Sequence, residues 1–468
     1  SKRSESIKQQ INDLAKKNQW FIPIDEALLE EITSIVEWPQ VMVGSFDKAF
    51  LEVPEAVLIA SMKGHQKCLP VYDEKDNLLP YFIFVSNIQS IDPDSVVHGN
   101  EKVMRARLSD AAFFFQQDRK IPLIDYAKMT ESVVFEKRLG TLADKTQRVA
   151  SIVTDLIPHL GLHAEAAQRA VALSKCDLMT GMVSEFPELQ GQMGQYYAAL
   201  DKEPHSIPLA LFEQYLPRFS GDELPETDLG YALSLADRLD TLVGIFAIGL
   251  KPTGEKDPYK LRRHALAVVR MLLQKPNELN ISTLIAFAAK SYGFLNIEAS
   301  LLEDLKKFII ERMQSYYQSH QFPIDWIVPA LAVQNEDFYD LSLRLNAFKD
   351  FMKHEHSEQL FQSAKRVRQI LAQVSDELDG HVDALGLQEP SEKQLWHVLQ
   401  EIEKQMNVLL VNKNYPQAFH QLLQLSAPLN VFFEHVFVMA EDLNLRKNRL
   451  NLLKHLQKVL YSIVALGA

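Results

Sequence analysis

Two glycines separated by four residues, Gly249 and Gly254 in "GLKPTGEKDPYKLRR", stand one residue short of a phosphate-cradling loop. A nucleotide-binding P-loop places Lys directly after its second glycine, to reach the β/γ-phosphates, and then Ser or Thr, to hold Mg²⁺. Here Glu255 follows Gly254, and Asp257 follows Lys256, so two carboxylates would face the phosphates. The preceding "LGYALSLADRLDTLVGIFAIG" is apolar on nearly all faces and reads as a buried helix, not the strand a P-loop follows. The stretch therefore predicts an interhelical turn, with Pro252 and Gly254 as turn residues and a new helix from near Pro258. Its cations, Lys251, Lys256, Arg262 and Arg263, are suited to an RNA phosphate. Other catalytic patterns are missing: no G-x-G-x-x-G, H-E-x-x-H, G-x-S-x-G or C-x-x-C occurs. His65 stands alone between lysines and reads as a surface turn residue.

A second constellation has the order of a metal site. "KTQRVASIV", "SKCDLMTGMV" and "LADRLDTLVG" resemble the helical setting of HD-type phosphohydrolases, in which a His, a His-Asp pair and a late Asp bind a metal that activates water. The matching positions are Lys145, Cys176, Asp177 and Asp237, with Asp240 a turn further on. Both neutral nitrogen donors are lost and one is replaced by a cation, so no metal is expected. Asp177, Asp237 and Asp240 are expected to bond helix ends or Lys175 and Arg238.

Charge narrows the partners. The 468 residues carry 49 Lys and Arg against 61 Asp and Glu, a net charge of −12, which alone disfavours nucleic acid. Local distribution says otherwise. No acidic residue occurs from Leu443 to Ala468, where Arg446, Lys447, Arg449, Lys454 and Lys458 lie, and "AKRVRQI" packs Lys365, Arg366 and Arg368 into about one turn. The competing reading is a set of solvated helix faces. Aromatic runs at Phe113–Phe115 and Phe432–Phe433 could stack on bases, but core is the preferred reading. Two distant cysteines, Cys68 and Cys176, form no disulfide framework and fit a reducing cytosol, so a cytoplasmic location is expected. No apolar run is long enough to span a membrane.

The elements that must position these groups are mostly helical. Helices are predicted within 5–38, over "PEAVLIASMK", and from "GNEKVMRARLSDAAFFFQQDRK" onward. One hairpin is predicted, "KCLPVYD" and "PYFIFVSNI" around the polar turn "EKDNL". Tyr316, Tyr317, Phe322 and Trp326 are expected aromatic anchors. After a polar connector, "SEQLFQSAKRVRQILAQV", "EKQLWHVLQEIEKQMNVLL", "YPQAFHQLLQLSAPLNVFFEHV" and "NRLNLLKHLQKVLYSIVAL" read as a helical bundle. The fold class is therefore mainly α and multidomain. The expected divisions are a small α+β region over 1–139, helical domains over 140–273 and 274–355, and a terminal helical domain over 356–468.

A colinear series of long motifs then carries a family resemblance: "SIVEWPQV", "FLEVPEAVLIASMKGHQKCLPVYDEKDNLLPYFIFVSNI", "LGTLADKTQR", "SKCDLMTGMVSEFPELQGQMGQYYA", "SLADRLDTLVGIFAIG", "KPTGEKDPYKLRRHALAVVR" and "FFEHVFVMAEDLNLRKNRLNLLKHL". Together they resemble the beta subunit of the bacterial heterotetrameric glycyl-tRNA synthetase. That resemblance implies an α₂β₂ ligase charging tRNA(Gly) with glycine, with ATP and Mg²⁺ at the alpha subunit and no cofactor held by this chain. It makes 140–273 an HD-like domain and 356–468 a helical anticodon-binding domain similar to that of arginyl-tRNA synthetase. The family's beta subunit is longer at its N-terminus, so residues 1–20 are expected to continue a preceding region. The implied tRNA contacts are Lys365, Arg366, Arg368, Arg446, Asn448 and Arg449 in the anticodon domain, and Lys251, Lys256, Arg262 and Arg263 in the HD-like region. Alanine at Arg446 and Arg449 is expected to weaken tRNA binding and leave the fold intact. The rival readings are a stand-alone HD-type phosphohydrolase and a helical scaffold binding acidic proteins.

Overall fold

Apolar residues at alternating positions in "LLPYFIFVS" send Tyr81, Ile83 and Val85 to one side of a strand and Phe82 and Phe84 to the other. In the computed structural model, which describes residues 2–276, 279–374 and 377–468 without the side chain of His65, that strand is the centre of a small sheet. The reading of His65 thus lies outside the described residues. β1 (Gln40–Ser45) and β2 (Leu69–Tyr72) flank β3 (Leu78–Ser86), both antiparallel to it. The predicted hairpin is β2–β3. β1 is an addition: "QVMVGS" has few strand signals, and its place comes from non-local pairing with β3, Val41 opposite Val85 and Val43 opposite Ile83. A two-stranded ribbon, Val134–Glu136 with Gly140–Thr141, is a second addition.

Helices Lys2–Asn18 and Glu26–Ile35 cover the Ile83 side of the sheet, where Ile7, Ile11, Leu29, Ile32, Val41, Leu69 and Val71 close a core. The sheet edge is blocked by side chains: Gln10 Oε1 accepts from Val41 N at 2.9 Å, and Glu101 Oε1 accepts from Ser45 N at 2.8 Å. Satisfying those donors removes the edge as a template for another strand.

The remaining described residues are mostly helical, joined by turns and irregular connectors such as 214–227 and 377–389. The chain divides into two units, Ser1–Arg218 with Pro225–Ser234, and Phe219–Leu224 with Leu235–Ala468. In the first, Leu142–Leu160 starts with a capping box: Thr141 Oγ1 accepts from Asp144 N at 3.2 Å and Asp144 Oδ2 from Thr141 N at 2.7 Å. Helix Asp228–Ala247 is buried along nearly its whole length, as its all-round apolarity predicts.

In the second unit the expected aromatic anchors form a chain of rings. Tyr317 meets Phe322 at 5.1 Å, Phe322 meets Trp326 at 6.5 Å, and Trp326 meets Phe348, which stacks on Phe419 at 5.6 Å. The chain's end is tied to this core. Arg344 donates to the carbonyls of Ser462 at 3.0 Å and Ile463 at 2.7 Å while pairing with Asp340 at 2.8 Å. Burial opposes ionisation of Asp340, but the Tyr415 hydroxyl and the Arg344 guanidinium outweigh it and hold the carboxyl below its ordinary value.

The terminal bundle consists of Ser357–Ala372, Pro390–Val411, Tyr415–Leu423, Ser426–His435 and Leu443–Leu460. The stretch "YPQAFHQLLQLSAPLNVFFEHV" forms two of these helices, broken at Gln424–Leu425 ahead of Pro428, which cannot donate to a continuous ladder.

Candidate nucleic-acid interface

Helix Leu443–Leu460 is the most basic element of the terminal bundle, and its residues divide sharply by burial. Asp442 caps it, its Oδ1 accepting from Asn444 N at 2.8 Å and Leu445 N at 3.0 Å. On the buried side Arg449 pairs with the fully enclosed Glu392, and its Nη1 donates to Phe437 O at 2.8 Å. Glu392 Oε2 in turn accepts from Gln388 N at 2.7 Å and Glu389 N at 2.9 Å. Asn448 acts as a backbone mimic: its Oδ1 accepts from Asp383 N at 2.8 Å and its Nδ2 donates to Asp383 O at 2.9 Å. Asn451 Oδ1 accepts from Gly380 N at 3.3 Å, and His455, edge-on to Trp396, lies 3.3 Å from Gly380 O through Nδ1.

These bonds pin the loop 380–389 against the helix. Between them lies a cavity of about 310 Å³ lined by Asp383, Gln388, Asn444, Lys447 and Asn451 among others. Arg446 is half-buried and Lys447 exposed beside it. Exposed apolar groups flank the region: Leu385 on the pinned loop, Phe437 on the segment bonded to Arg449, and Leu443 in the first turn. Cations for phosphates, amides for base edges and an aromatic face for stacking are the parts single-stranded RNA recognition uses. Of the residues grouped in sequence with Arg446, Asn448 lines the cavity while its amide holds the loop, and Arg449 supports this surface from beneath. The buried pair with Glu392 argues against the expectation that Arg449 is dispensable for the fold, because removing it leaves a buried carboxyl without its cation.

The basic turn on helix Ser357–Ala372 lies elsewhere. Lys365 rides over the Phe361 ring at 4.6 Å, Arg366 covers the Phe433 ring at 4.2 Å, and Arg368 is exposed. Phe432 is buried core, as preferred, whereas Phe433 is half-exposed; likewise Phe115 is buried and Phe113 exposed.

In "GLKPTGEKD", Thr253 and Lys256 exchange backbone hydrogen bonds of 3.1 and 2.9 Å, closing a tight turn. Asp257 then caps the next helix, Oδ1 accepting from Leu261 N at 2.8 Å and Oδ2 from Arg262 N at 3.0 Å. That cap delays the helix start from the predicted Pro258 to Leu261. Lys251 pairs with Asp304 at 2.8 Å, and Arg262 donates to Gly254 O at 2.7 Å. Lys256, Lys260 and Arg263 are exposed.

The HD-type positions hold no set of metal donors. Lys145 is buried with its ammonium 4.8 Å from the Phe135 ring. Burial pushes the Cys176 thiol up to about 12, and Sγ lies 3.4 Å from Ala172 O, so it is no thiolate at neutral pH. Asp177 Oδ2 accepts from Gly191 N at 2.5 Å, holding the turn before helix Gln192–Leu200, while burial raises its carboxyl to about 6. Asp237 is half-buried and Asp240 buried on helix Asp228–Ala247. Among the described residues no three His, Cys, Asp or Glu side chains group as a metal site.

A family model for the glycyl-tRNA synthetase beta subunit matches residues 1–332, and one for the DALR anticodon binding domain matches residues 337–466. The chain belongs to the glycyl-tRNA synthetase beta-subunit family. It is 43% identical over 440 residues to a glycine--tRNA ligase beta subunit of Aliivibrio fischeri, which covers 94% of this chain and 64% of the relative. Beta subunits of Psychromonas ingrahamii and Vibrio cholerae are 42% identical over 462 and 460 residues, covering 99% and 98% of this chain and 67% and 66% of the relatives. The chain thus spans about two thirds of the length of the relatives it matches. Within the family frame, the surface on helix Leu443–Leu460 falls inside the anticodon-binding match. Among the described residues no helix is long and apolar enough to cross a membrane.

Proposed function

We propose that this chain is the tRNA-binding portion of a glycine--tRNA ligase beta subunit, supporting ATP-dependent attachment of glycine to tRNA(Gly) at an alpha subunit. The observation that carries the reading is the end of helix Leu443–Leu460. There Lys447 lines an amide-rich cavity and Arg446 follows on the next face of the helix, with the exposed Phe437 and Leu385 on segments bonded to that helix, inside the region matched by an anticodon-binding model. Arg446 and Lys447 hold backbone phosphates, the amides of the cavity meet the edges of an unpaired base, and Phe437 offers a face for stacking. Asn448 and Arg449 position this surface through the 380–389 loop and Glu392. Lys365 and Arg368 extend the positive field along helix Ser357–Ala372. Lys256, Lys260 and Arg263, exposed at the turn after helix Asp228–Ala247, contact the backbone of another part of the tRNA. ATP and Mg²⁺ belong to the alpha subunit, the assembly is an α₂β₂ heterotetramer, and the protein works in the cytoplasm. The domain divisions at 139, 273 and 355 are kept as part of this proposal.

Mixing this chain with the alpha subunit and tRNA(Gly), with complex formation and glycine charging measured separately, tests the reading. Binding of tRNA(Gly) that weakens steeply with salt is expected, because neutralised phosphates release counterions. Failure to bind tRNA(Gly) at low salt would overturn it.

A further inference from the structure

A cavity of about 220 Å³ lies where the end of helix Pro93–Asp118 meets the 3-10 helix Leu123–Ser132 and the end of helix Gln192–Leu200. It shares no lining residue with the cavity at helix Leu443–Leu460. Its wall carries Asp118, Arg119, Tyr126, Tyr197 and Asp201. Asp118 is buried and engaged through both oxygens. Oδ1 accepts from Gly181 N at 2.8 Å, and Oδ2 accepts from Met182 N and from the Tyr197 hydroxyl, each at 2.9 Å. The Tyr126 hydroxyl donates to Asp118 O at 3.1 Å. Burial first, and then the Asp118 charge, push the Tyr126 phenol up to about 12 and raise Tyr197 as well, so both hydroxyls keep their hydrogens. With those hydrogens committed to Asp118, each phenol oxygen is left as an acceptor at the cavity wall. Asp201 Oδ2 accepts from Leu123 N at 2.6 Å, which leaves Oδ1 as a third acceptor. Arg119 is exposed, its guanidinium 5.3 Å from the centroid of the Phe115 ring, which stacks on Tyr197 at 6.0 Å. Among the described residues Arg119 forms an ion pair with neither carboxylate.

Opposite charges that line one cavity without meeting select the occupant. A divalent cation would find only Asp201 with a carboxylate oxygen to give, and Arg119 repels it. A lone anion satisfies Arg119 but sets its own oxygens against Asp201 and two phenol oxygens. A lone amine satisfies those three acceptors and leaves the guanidinium without a partner. A primary ammonium has three hydrogens for three acceptors, and a carboxylate is the planar partner that a guanidinium matches. We propose that this cavity binds a free α-amino acid, its ammonium on Tyr126, Tyr197 and Asp201 and its carboxylate on Arg119. The volume admits one small molecule, and the apolar Ile121 and Leu200 suit a short hydrocarbon side chain or none. The proposal stands on this cavity alone and does not draw on the tRNA reading.

The test is calorimetric titration of the chain with glycine, L-alanine, L-serine and L-leucine, followed on the wild type by the N-acetyl and the carboxamide forms of the tightest binder. One-to-one binding of at least one of the four is expected. Blocking either end should weaken it by about 10- to 150-fold, the worth of a charge-assisted hydrogen bond at that end. Asp201→Asn, which keeps an acceptor for Leu123 N, and Arg119→Gln, at an exposed position, should melt like wild type and show a fall of the same size. The blocked ligands are read on the wild type, so they decide the matter even where a variant fails to fold. No saturable binding of any of the four at millimolar concentration overturns the proposal. So does an N-acetyl or carboxamide form that binds as well as the free amino acid, or full affinity in both folded variants.

Discussion

Replacing Arg449 by Met separates the two roles that its sequence position conflates. Met keeps much of the side-chain length and removes the charge, leaving the Glu392 carboxyl without its cation in a site with no solvent exposure of its side chain. The Arg449 guanidinium contributes the ion pair to Glu392 and a hydrogen bond to Phe437 O. Breaking one partner of a buried pair costs about 3–5 kcal/mol, because the remaining charge is uncompensated. For a unit of this size each kcal/mol moves the midpoint by about 2–4 °C, so the melt of the C-terminal region should fall by roughly 6–20 °C. Glu392→Gln added to Arg449→Met removes the stranded charge and should recover part of the loss. Hydrogen exchange over 383–392 and 437–449 is the local readout, since Gln388, Glu389 and Phe437 all bond to this pair. An Arg449→Met protein that melts and exchanges like wild type but binds tRNA weakly would refute the reasoning and return Arg449 to the binding face.

Other outcomes follow from the same structure. Asp177 titrates near 6 in the folded chain against an ordinary 3.8, because burial penalises its charged form. The folded state therefore holds the proton more tightly, and stability from this group is full below about pH 4 and lost as pH rises through 6. The loss amounts to about 3 kcal/mol by neutrality. Asp177→Asn should gain by about that much relative to wild type between pH 4 and pH 7 in urea unfolding, and a pH-independent difference would contradict it. Gly467→Ala should destabilise the terminal bundle by about 1–3 kcal/mol, as its φ of +80° strains an L-residue and its Cβ would sit 2.6 Å from Lys365 N. A thermal melt equal to wild type would count against it. Lys256→Ala with Arg263→Ala should leave the melt unchanged, both groups being exposed, and weaken tRNA(Gly) binding at low salt; unaltered binding would remove that turn from the interface.

The helices were legible because their apolar stripes repeat at helical spacing, and the β2–β3 hairpin because two apolar runs flank a polar turn. β1 was not, since six residues of "QVMVGS" acquire their burial from pairing with β3 about forty residues away in the chain. At the site, basic composition located helix Leu443–Leu460 but not the division of labour along it. Glu392, 57 residues from Arg449, left no local trace. One signal did exist: Arg449 occupies the stripe that continues through Leu452, Leu453 and Leu456, all buried, so helical spacing alone places it inward. Arg446 sits off the most buried part of that stripe and Lys447 faces solvent. The sequence places Phe433 in the core with Phe432, but adjacent residues on a helix point about 100° apart, and only Phe432 meets the interior.

The most direct test of the interface is the salt dependence of tRNA(Gly) binding by wild type and by Arg446→Ala with Lys447→Ala. The double variant should melt like wild type, bind more weakly, and lose about two from the slope of log affinity against log salt, one for each phosphate contact. The same affinity and the same slope in the two proteins would place the RNA somewhere other than the end of helix Leu443–Leu460.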